Sequence, residues 1–457
     1  MRLRVPLPPL AVLLGAALTR MRQPRNRPER RLSETTRRSP GGHRAAALAG
    51  TPPVGGPWRG GLTTRRMPRS RLRLLPLVVA LALTLSAPGT AVARVPQGFV
   101  GVVADGPLFN PSVDLGHQFD VMVASGVESV RTVFTWGAAQ PYRTWADVPA
   151  DQASEFDHDA VPTSFTATDR IVGLAAQRGL QVLPVVMYAP SWNLMPRPAG
   201  TAQPASDGPY AAYLALLVNR YGPNGTFWRE NPSVPKIPIR MWQIWNEPVH
   251  YPAWTTKPFW RTYVPLLRAA HAAIKRADPG AKVVLAGFAN YSWAAIRSIY
   301  AVPGARRLFD IVAVHPYTAQ PKGVITILQR VRGVMSRFGD SSKAILATEV
   351  GWPSSRSRVS ASDPFQTTTA GQASNVAQLL SLLDRYRHRL RLLGFDYYTW
   401  AGHEYPSATN FNYSGLSRFN GGQFVAKPAL FEFRRYALAL EACRKKGSLA
   451  TVCLAAS

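Results

Sequence analysis

The sequence is poor in cysteine and lacks the common metal-binding motifs. Only two of its 457 residues are cysteines, Cys443 and Cys453, and neither Cys-x-x-Cys nor His-Glu-x-x-His occurs. We therefore expect no metal and no other cofactor. The two cysteines share one short stretch, which in an exported protein favours a disulfide that closes this loop; the alternative is two unrelated small apolar residues.

Acidic residues are also scarce. The chain holds 25 Asp and Glu against 54 Lys and Arg, a formal net charge of +29. The first 93 residues contain 17 arginines and two glutamates, so about half of the excess lies there. The remainder has no basic run interleaved with aromatics, which argues against nucleic-acid binding. Its basic surface instead favours anionic polymers, such as cell-wall polymers or acidic sugars, without specifying one.

The leader lacks an apolar run long enough to cross a bilayer. The run from Leu74 to Leu85 is about a dozen residues, short of the roughly 20 that a spanning helix needs. It follows a basic start and precedes Ala91-Val92-Ala93, so residues 67–93 indicate a signal peptide cleaved after Ala93 rather than a retained anchor. We expect a secreted or cell-surface protein with no stable membrane insertion. Residues 1–66 are rich in Arg and Pro without periodicity, which predicts a disordered leader, and Met67 is an alternative start.

From Gly98 onward, short β-branched runs alternate with stretches at helical spacing. Eight strands are predicted, at residues 99–105, 127–134, 180–188, 239–247, 281–289, 309–317, 344–352 and 392–400. Eight strand–helix units with strands apolar on both faces predict an α/β fold, a (β/α)8 TIM barrel over residues 94–440 with a short tail at 441–457. A doubly wound open sheet is the alternative, but it usually has fewer strands and a Gly-rich first turn.

Two carboxylates stand where predicted strands end. The stretch RMWQIWNEPVHY, residues 240–251, is apolar and aromatic until Asn246 and Glu247, and Glu349 lies near the end of the seventh strand. The C-terminal strand ends of such a barrel form the active-site floor, so polar residues there indicate chemistry. Other strand ends contribute Asp105, Arg131, Tyr188, His315, Tyr317, Thr348 and Trp400, with Trp136, Trp192, His403 and Glu404 just beyond them.

Two carboxylates facing each other across a barrel mouth are the equipment for glycoside hydrolysis. We expect Glu349 to be ionised because Arg131 and Tyr317 could both reach it. We expect Glu247 to keep its proton because a second negative charge nearby is unfavourable. Asn246 is suited to hydrogen-bond the sugar 2-hydroxyl, and the predicted outcome is net retention.

Paired motifs carry a family resemblance. WNEP at residues 245–248, together with TEVGWPSS at residues 348–355, resembles the clan of retaining (β/α)8 glycoside hydrolases called the 4/7 superfamily, clan GH-A. The spacing of Arg131, Trp136, Gln140 and Pro141, and VHPY at residues 314–317, resemble family 39-like and family 5-like members. KPALFEFRRYA at residues 427–437 resembles their final barrel helix.

The resemblance spans about residues 98–440 and implies roles residue by residue. Glu247 would be the acid/base and Glu349 the nucleophile. Supporting roles fall to Asn246, Arg131, His315 and Tyr317, and Trp400 would be a platform beneath the sugar. The chain has Val249 and His250 where an Asn commonly follows the Pro in family 39-like members, and TEVGWPSS also approaches strings of family 17 β-1,3-glucanases. The family and the sugar therefore stay open.

The remaining candidates have two interpretations each. Trp136, Trp192 and Trp352 lie just past strand ends, where indoles stack on sugars or pack loops. Asp105 binds a sugar hydroxyl or starts a turn before Gly106-Pro107. His403 precedes a long Asn/Ser/Gly-rich loop and lines a subsite or is simply solvated.

Other functions remain as alternatives to a carbohydrate-cleaving hydrolase. A non-catalytic carbohydrate- or cell-wall-binding barrel would normally have lost one glutamate, whereas both are present. A transglycosylase shares the covalent intermediate and differs only in which acceptor reaches it.

Overall fold

The computed structural model describes residues 95–196, 200–250, 252–359, 363–405 and 409–441. The predicted leader at residues 1–66, the signal peptide at residues 67–93 and the proposed Cys443–Cys453 disulfide lie outside the described residues. Within the described part, no helix combines the length and apolarity that crossing a bilayer requires.

Eight parallel strands close into a barrel, as the alternating sequence pattern predicted. They are β1 (Val100–Val103), β2 (Ser129–Thr135), β3 (Gln181–Met187), β4 (Met241–Ile244), β5 (Lys282–Val284), β6 (Ile311–Val314), β7 (Ala344–Val350) and β8 (Leu392–Tyr397). Each pairs with the next along the chain, and β8 pairs with β1 to close the ring. The predicted (β/α)8 fold is confirmed, and strand eight ends at Tyr397, before Trp400.

Helices connect the strands and cover the barrel. They are α1 (Leu115–Ala124), α2 (Trp136–Ala139), α3 (Thr166–Ala176), α4 (Asp207–Tyr221), α5 (Thr226–Glu230), α6 (Trp260–Ala277), α7 (Ser292–Tyr300), α8 (Pro321–Arg337), α9 (Thr369–Leu390) and α10 (Pro428–Glu441). In α6, Tyr263, Leu266 and Ile274 form a buried face at helical spacing. The last helix, α10, begins at Pro428, which suits the first helical position because it needs no N–H partner there.

The core has two parts because barrel strands are buried on both faces. The larger part lies between strands and helices. A smaller apolar cluster on the inner side of the strands includes Leu183, Val284, Ile311, Ala313 and Leu346. Arg131 on β2 is in register with Leu183 on β3, so a charged side chain is placed among these inward positions. Strand alternation thus carries polar groups into the barrel mouth.

A second, three-stranded sheet follows the barrel. It consists of β9 (Ala401–Gly402), β10 (Ser417–Asn420) and β11 (Gln423–Ala426), in the order β11-β10-β9. Residues after 400 were predicted as a long loop, because these strands are only two to four residues long and show little strand pattern. Pairing between strands, rather than intrinsic propensity, forms this sheet.

Candidate active site

Glu349, on β7, is buried in a set of donors from neighbouring strands. Arg131 Nη1 lies 2.9 Å from Glu349 Oε1, and the Tyr317 hydroxyl donates to Oε2 at 2.8 Å. Both contacts suit a carboxylate, as the sequence led us to expect. Burial, followed by the charge of Glu349, raises the pKa of the Tyr317 phenol well above its usual range, so the hydroxyl keeps the proton that it donates.

The Arg131 guanidinium organises three strands at once. Besides Glu349, it donates from Nε to Gln243 Oε1 at 2.9 Å and from Nη2 to Asn246 Oδ1 at 2.7 Å. The planar fork of donors fixes these side chains relative to one another. The side-chain carbonyl oxygen of Asn246 accepts from Arg131, so its amide N–H groups remain for a ligand hydroxyl.

Glu247 follows β4 on a tight backbone turn. Its φ is +43°, in the left-handed region that costs a non-glycine residue roughly 1 kcal/mol. Two backbone hydrogen bonds hold the turn, from Glu247 N to Gly287 O and from His250 N to Glu247 O, each 3.1 Å. Strained residues held by their surroundings are typical of active sites.

Two imidazoles contact the Glu247 carboxylate. His315 Nδ1 lies 2.6 Å from Oε1, and His250 Nε2 lies 3.3 Å from Oε2. Burial raises the pKa of the Glu247 carboxyl, but the positive charges of His250 and His315, when protonated, outweigh it, so that the net shift is downward. This is a correction: Glu247 was expected to hold its proton because of Glu349, but that reasoning omitted His250.

His315 is positioned by a close approach of the backbone. Its ring packs against Gly287, where an added Cβ would lie 1.8 Å from Nε2. Only glycine fits at this position while His315 keeps its contact with Glu247. The same Nδ1 lies 3.4 Å from Glu349 Oε2, so His315 stands between the two glutamates.

Glu247, His315 and Glu349 have the composition of a metal site, but their neighbours do not favour a bound cation. One ligand atom each of Glu247, His315 and Glu349 lies within 4.8 Å of the others. Arg131 already neutralises Glu349, and a cation placed between the carboxylates would be repelled by that guanidinium. We therefore describe the cluster as a hydrogen-bonded carboxylate pair and not as metal ligands.

A cavity of about 210 Å³ opens over the two glutamates. Its polar floor includes Glu247, Glu349, Arg131, Asn246 and Asp105, and its walls are largely apolar. The Asp105 side chain does not cap the helical turn that follows it. Its carboxylate instead accepts a hydrogen bond from the Thr399 hydroxyl. Burial, partly offset by that hydrogen bond, raises the pKa of Asp105 to about 6. The cavity has room for a compact polar ligand beside the carboxylates.

For three of the four tryptophans, the predicted role of stacking on a sugar is wrong, because their side chains are buried. Trp136 and Trp352 are fully buried and Trp400 is 1% exposed, so none offers an open indole face to a sugar. Trp136 instead stacks on Tyr213, and the indole N–H groups of Trp352 and Trp400 donate to Thr318 O and Gln118 Oε1. The sequence shows that these residues follow strands, but not that helices cover them.

Trp192 and His403 lie outside the cavity lining. Trp192 is half-buried, contacts Trp136 edge-on and donates to Gln140 O. His403 is exposed, with its ring beside Tyr405 and Phe419. Both side chains therefore pack against other protein residues and do not line the cavity, where a sugar subsite was predicted.

Sequence reasoning missed three residues at the site. Tyr398 lines the cavity directly after β8, two residues before the predicted platform at Trp400. Gln243 accepts from Arg131 but was not singled out in the sequence, and His250 was noted only as a departure from a family pattern. Strand alternation places Gln243 on the same face of β4 as Met241, two residues earlier, which packs against the inner apolar cluster. Nothing in the sequence indicates that the turn after Pro248 returns His250 to Glu247.

Comparison with known proteins supports the fold. No protein-family model matches the sequence, and no curated protein matches it in a sequence comparison. A family 39 glycoside hydrolase from the gut symbiont Bacteroides cellulosilyticus WH2 aligns with 76% of this chain and 64% of its own, at 19% identity and a TM-score of 0.55. The chain thus spans just under two-thirds of that protein's length.

Two further solved structures give the same result. A monomeric β-xylosidase from Caulobacter crescentus CB15 aligns at 15% identity with a TM-score of 0.53, covering 76% of this chain and 69% of that one. A glucosidase from Croceicoccus marinus aligns at 16% identity with a TM-score of 0.51, covering 76% and 70%. At such identities the likeness shows the fold. It supports the resemblance to family 39-like and family 5-like barrels at that level.

Proposed function

We propose that this chain is a secreted glycoside hydrolase that cleaves O-glycosidic bonds of an oligo- or polysaccharide with net retention. The observation that carries the proposal is the spacing of the two glutamates. One oxygen of each lies within 4.8 Å of the other and of His315 Nδ1. Retaining enzymes hold their carboxyl groups about 5–5.5 Å apart, whereas inverting enzymes need about 6.5–9.5 Å to admit a water.

In the first step Glu349 attacks the anomeric carbon, and Glu247 gives a proton to the departing oxygen. Glu247 acts here from its protonated form, which its two imidazole neighbours disfavour when they are charged. The bond to the leaving group breaks as the bond to Glu349 forms, which leaves a glycosyl ester and an ionised Glu247. In the second step Glu247 takes a proton from water, and the water oxygen displaces Glu349. Glu247 ends the cycle protonated, so the proton balance closes.

The surrounding side chains support this division of roles. Arg131 and Tyr317 donate to Glu349, which keeps it a carboxylate before attack and stabilises it as it leaves. The free amide N–H of Asn246 faces the same cavity and is placed to bind the sugar 2-hydroxyl. Asp105 and Tyr398 would contact the same sugar ring from strands one and eight.

Export and a basic surface complete the proposal. The signal-like residues 67–93 support secretion with cleavage after Ala93, and N-terminal sequencing of the secreted chain should begin at Arg94. A product that retains residues 67–93 would contradict this. The basic residues of the mature chain would favour anionic cell-wall polymers as a secondary partner.

The test is incubation with a panel of 2-deoxy-2-fluoro glycosyl fluorides, followed by peptide mass mapping. The panel begins with xylose and glucose, because the compared structures include a β-xylosidase and a glucosidase. We expect an adduct on Glu349 from one sugar and none in the Glu349→Gln variant. A folded chain that forms no adduct and hydrolyses no glycoside would overturn the proposal and favour a binding-only barrel.

Hydrolysis and transglycosylation are separated by the products. With water as the sole acceptor, turnover of an aryl glycoside should release free sugar and aryl alcohol in equal amounts. Release of aryl alcohol well ahead of free sugar, together with longer oligosaccharides, would instead support a transglycosylase.

A further inference from the structure

His250 contacts the acid/base but has no role in the two reaction steps proposed above. It lies on the turn after β4, and its side chain is about one-tenth exposed at the cavity wall. Backbone hydrogen bonds hold it on both sides, since its N–H donates to Glu247 O and its carbonyl accepts from Trp254 N. The backbone of His250 is thereby held beside the acid/base.

The two oxygens of Glu247 are not equivalent. His315 Nδ1 lies 2.6 Å from Oε1, within a short hydrogen bond, and His315 itself is fully buried. Among the residues that the structure describes, Oε2 has only the longer contact of 3.3 Å to His250 Nε2. Oε2 is therefore the oxygen free to carry a proton toward a leaving group, and His250 is its neighbour.

We infer that His250 is a positioning residue for Glu247, holding Oε2 at the cavity and, when its imidazole is protonated, keeping Glu247 in the charged form that cannot act as an acid. The inference rests on the proposed glycosidase function. It goes beyond that function because it assigns to His250 control of the fraction of Glu247 that is protonated at mildly acidic pH.

The charge balance around the pair supports this role. Among the described residues, the other charged or titratable groups that face Glu247 and His250 are His315, Glu349, Arg131, Asp105, Tyr188, Tyr317 and Tyr398. Lys257, on the same loop, donates to Val249 O. His250 and His315 are the two groups among them that contact the Glu247 carboxylate. Of these two, only His250 lines the cavity.

The sign of the effect follows from the contact. A protonated His250 favours ionised Glu247 and lowers the fraction of the acid form, whereas a neutral imidazole has little influence. Histidine gains its proton as the pH falls, so the effect grows toward acidic pH. Removing the imidazole should therefore raise kcat/KM at pH 5 while leaving it nearly unchanged at pH 7.5.

The experiment compares the His250→Gln variant with the wild-type chain. The substrate is an alkyl glycoside of the sugar that labels Glu349, because its poor leaving group needs the proton. We expect the ratio of kcat/KM at pH 5 to that at pH 7.5 to rise about tenfold, the effect of one pKa unit on the acid form. His117→Gln, on the exposed first turn of α1, is the matched control and should leave the ratio unchanged.

A second substrate separates positioning from structural damage. In a 2,4-dinitrophenyl glycoside the dinitrophenolate departs without being protonated. The rate of the glycosylation step with this substrate should therefore be the same in His250→Gln and the wild type at both pH values. An unchanged alkyl-glycoside ratio, or an equal change with both substrates, would overturn the inference while leaving the proposed function intact. A wild-type chain without any turnover would overturn both.

Discussion

Two charge clusters in this molecule have opposite balances of positive and negative groups. The cavity cluster, consisting of Arg131, Glu247, His315 and Glu349, sets two carboxylates against one permanent cation beneath an open cavity. The sheet cluster, consisting of Arg358, Glu404 and Lys427, sets two cations against one carboxylate beside the small sheet. In the sheet cluster both oxygens of Glu404 are paired, at 3.0 Å and 2.9 Å.

The difference separates charge used for chemistry from charge used for structure. In the sheet cluster, Lys427 also donates to Tyr413 O, so its ammonium is tied to two chain segments. In the cavity cluster, Glu247 Oε2 has no short hydrogen bond and one long contact. Glu247, incompletely paired over a cavity, is available to a substrate, whereas Glu404, fully paired outside the cavity, holds loops together.

The largest expected effect comes from neutralising one carboxylate in each cluster. Glu349→Gln removes the nucleophile, so turnover should fall by about 10⁴-fold or more, while the fold is kept because Arg131 still has Gln243 and Asn246 as partners. Glu404→Gln should leave kcat/KM within about twofold, because it only loosens the small sheet. Steady-state kinetics and circular dichroism of both variants provide the check.

Equal activity in the two variants would break the comparison. If Glu349→Gln kept wild-type turnover, the cavity cluster would be structural in the same sense as the sheet cluster. If Glu404→Gln lost turnover while remaining folded, the sheet cluster would belong to the site.

Removing one cation from each cluster should give a smaller but measurable contrast. Arg131→Met leaves Glu349 buried without its cation, which should cost about 3–5 kcal/mol of unfolding free energy. Lys427→Met leaves Glu404 paired with Arg358, and burial of the Lys427 amine is itself unfavourable, so the cost should stay near 1 kcal/mol. Denaturant unfolding of both variants measures these costs, and similar losses would contradict the argument.

Much of the barrel could be predicted because its signals are local. β-branched runs gave the strands, helical spacing gave the faces of α6 and α9, and the count of eight units gave closure. The small sheet could not be predicted, because strands of two to four residues are formed by pairing across a loop and carry little propensity of their own.

The polar part of the site could be predicted more fully than its aromatic part. Arg131, His315, Tyr317 and Glu349 were found because strand ends converge in a barrel, and all four meet. Trp136, Trp352 and Trp400 are placed by the same rule, yet covering elements bury them. Whether an aromatic ring stays open depends on loop packing, which sequence position does not encode.

The smallest effects concern pH, and they should have opposite consequences in the two regions. Burial raises the pKa of Asp105 to about 6 from 3.8, so the folded state binds more protons and stability falls as pH rises from about 4 to 6. Burial lowers the pKa of Lys427 to about 8 from 10.5, so the unfolded state binds more protons and stability recovers between about pH 8 and 10.5.

Asp105→Asn should therefore flatten the acidic side of the stability curve, and Lys427→Met its alkaline side. For Asp105 the full shift corresponds to about 3 kcal/mol, and we expect about 1–2 kcal/mol because solvent still partly reaches the carboxylate. Urea unfolding of each variant at pH 4, 6, 8 and 10 measures both slopes. A steep acidic slope that persists in Asp105→Asn would assign it to another carboxyl group. Loss of the slope would show that the cavity holds the Asp105 negative charge at a cost to the fold, as the sheet cluster holds the Lys427 positive charge at one.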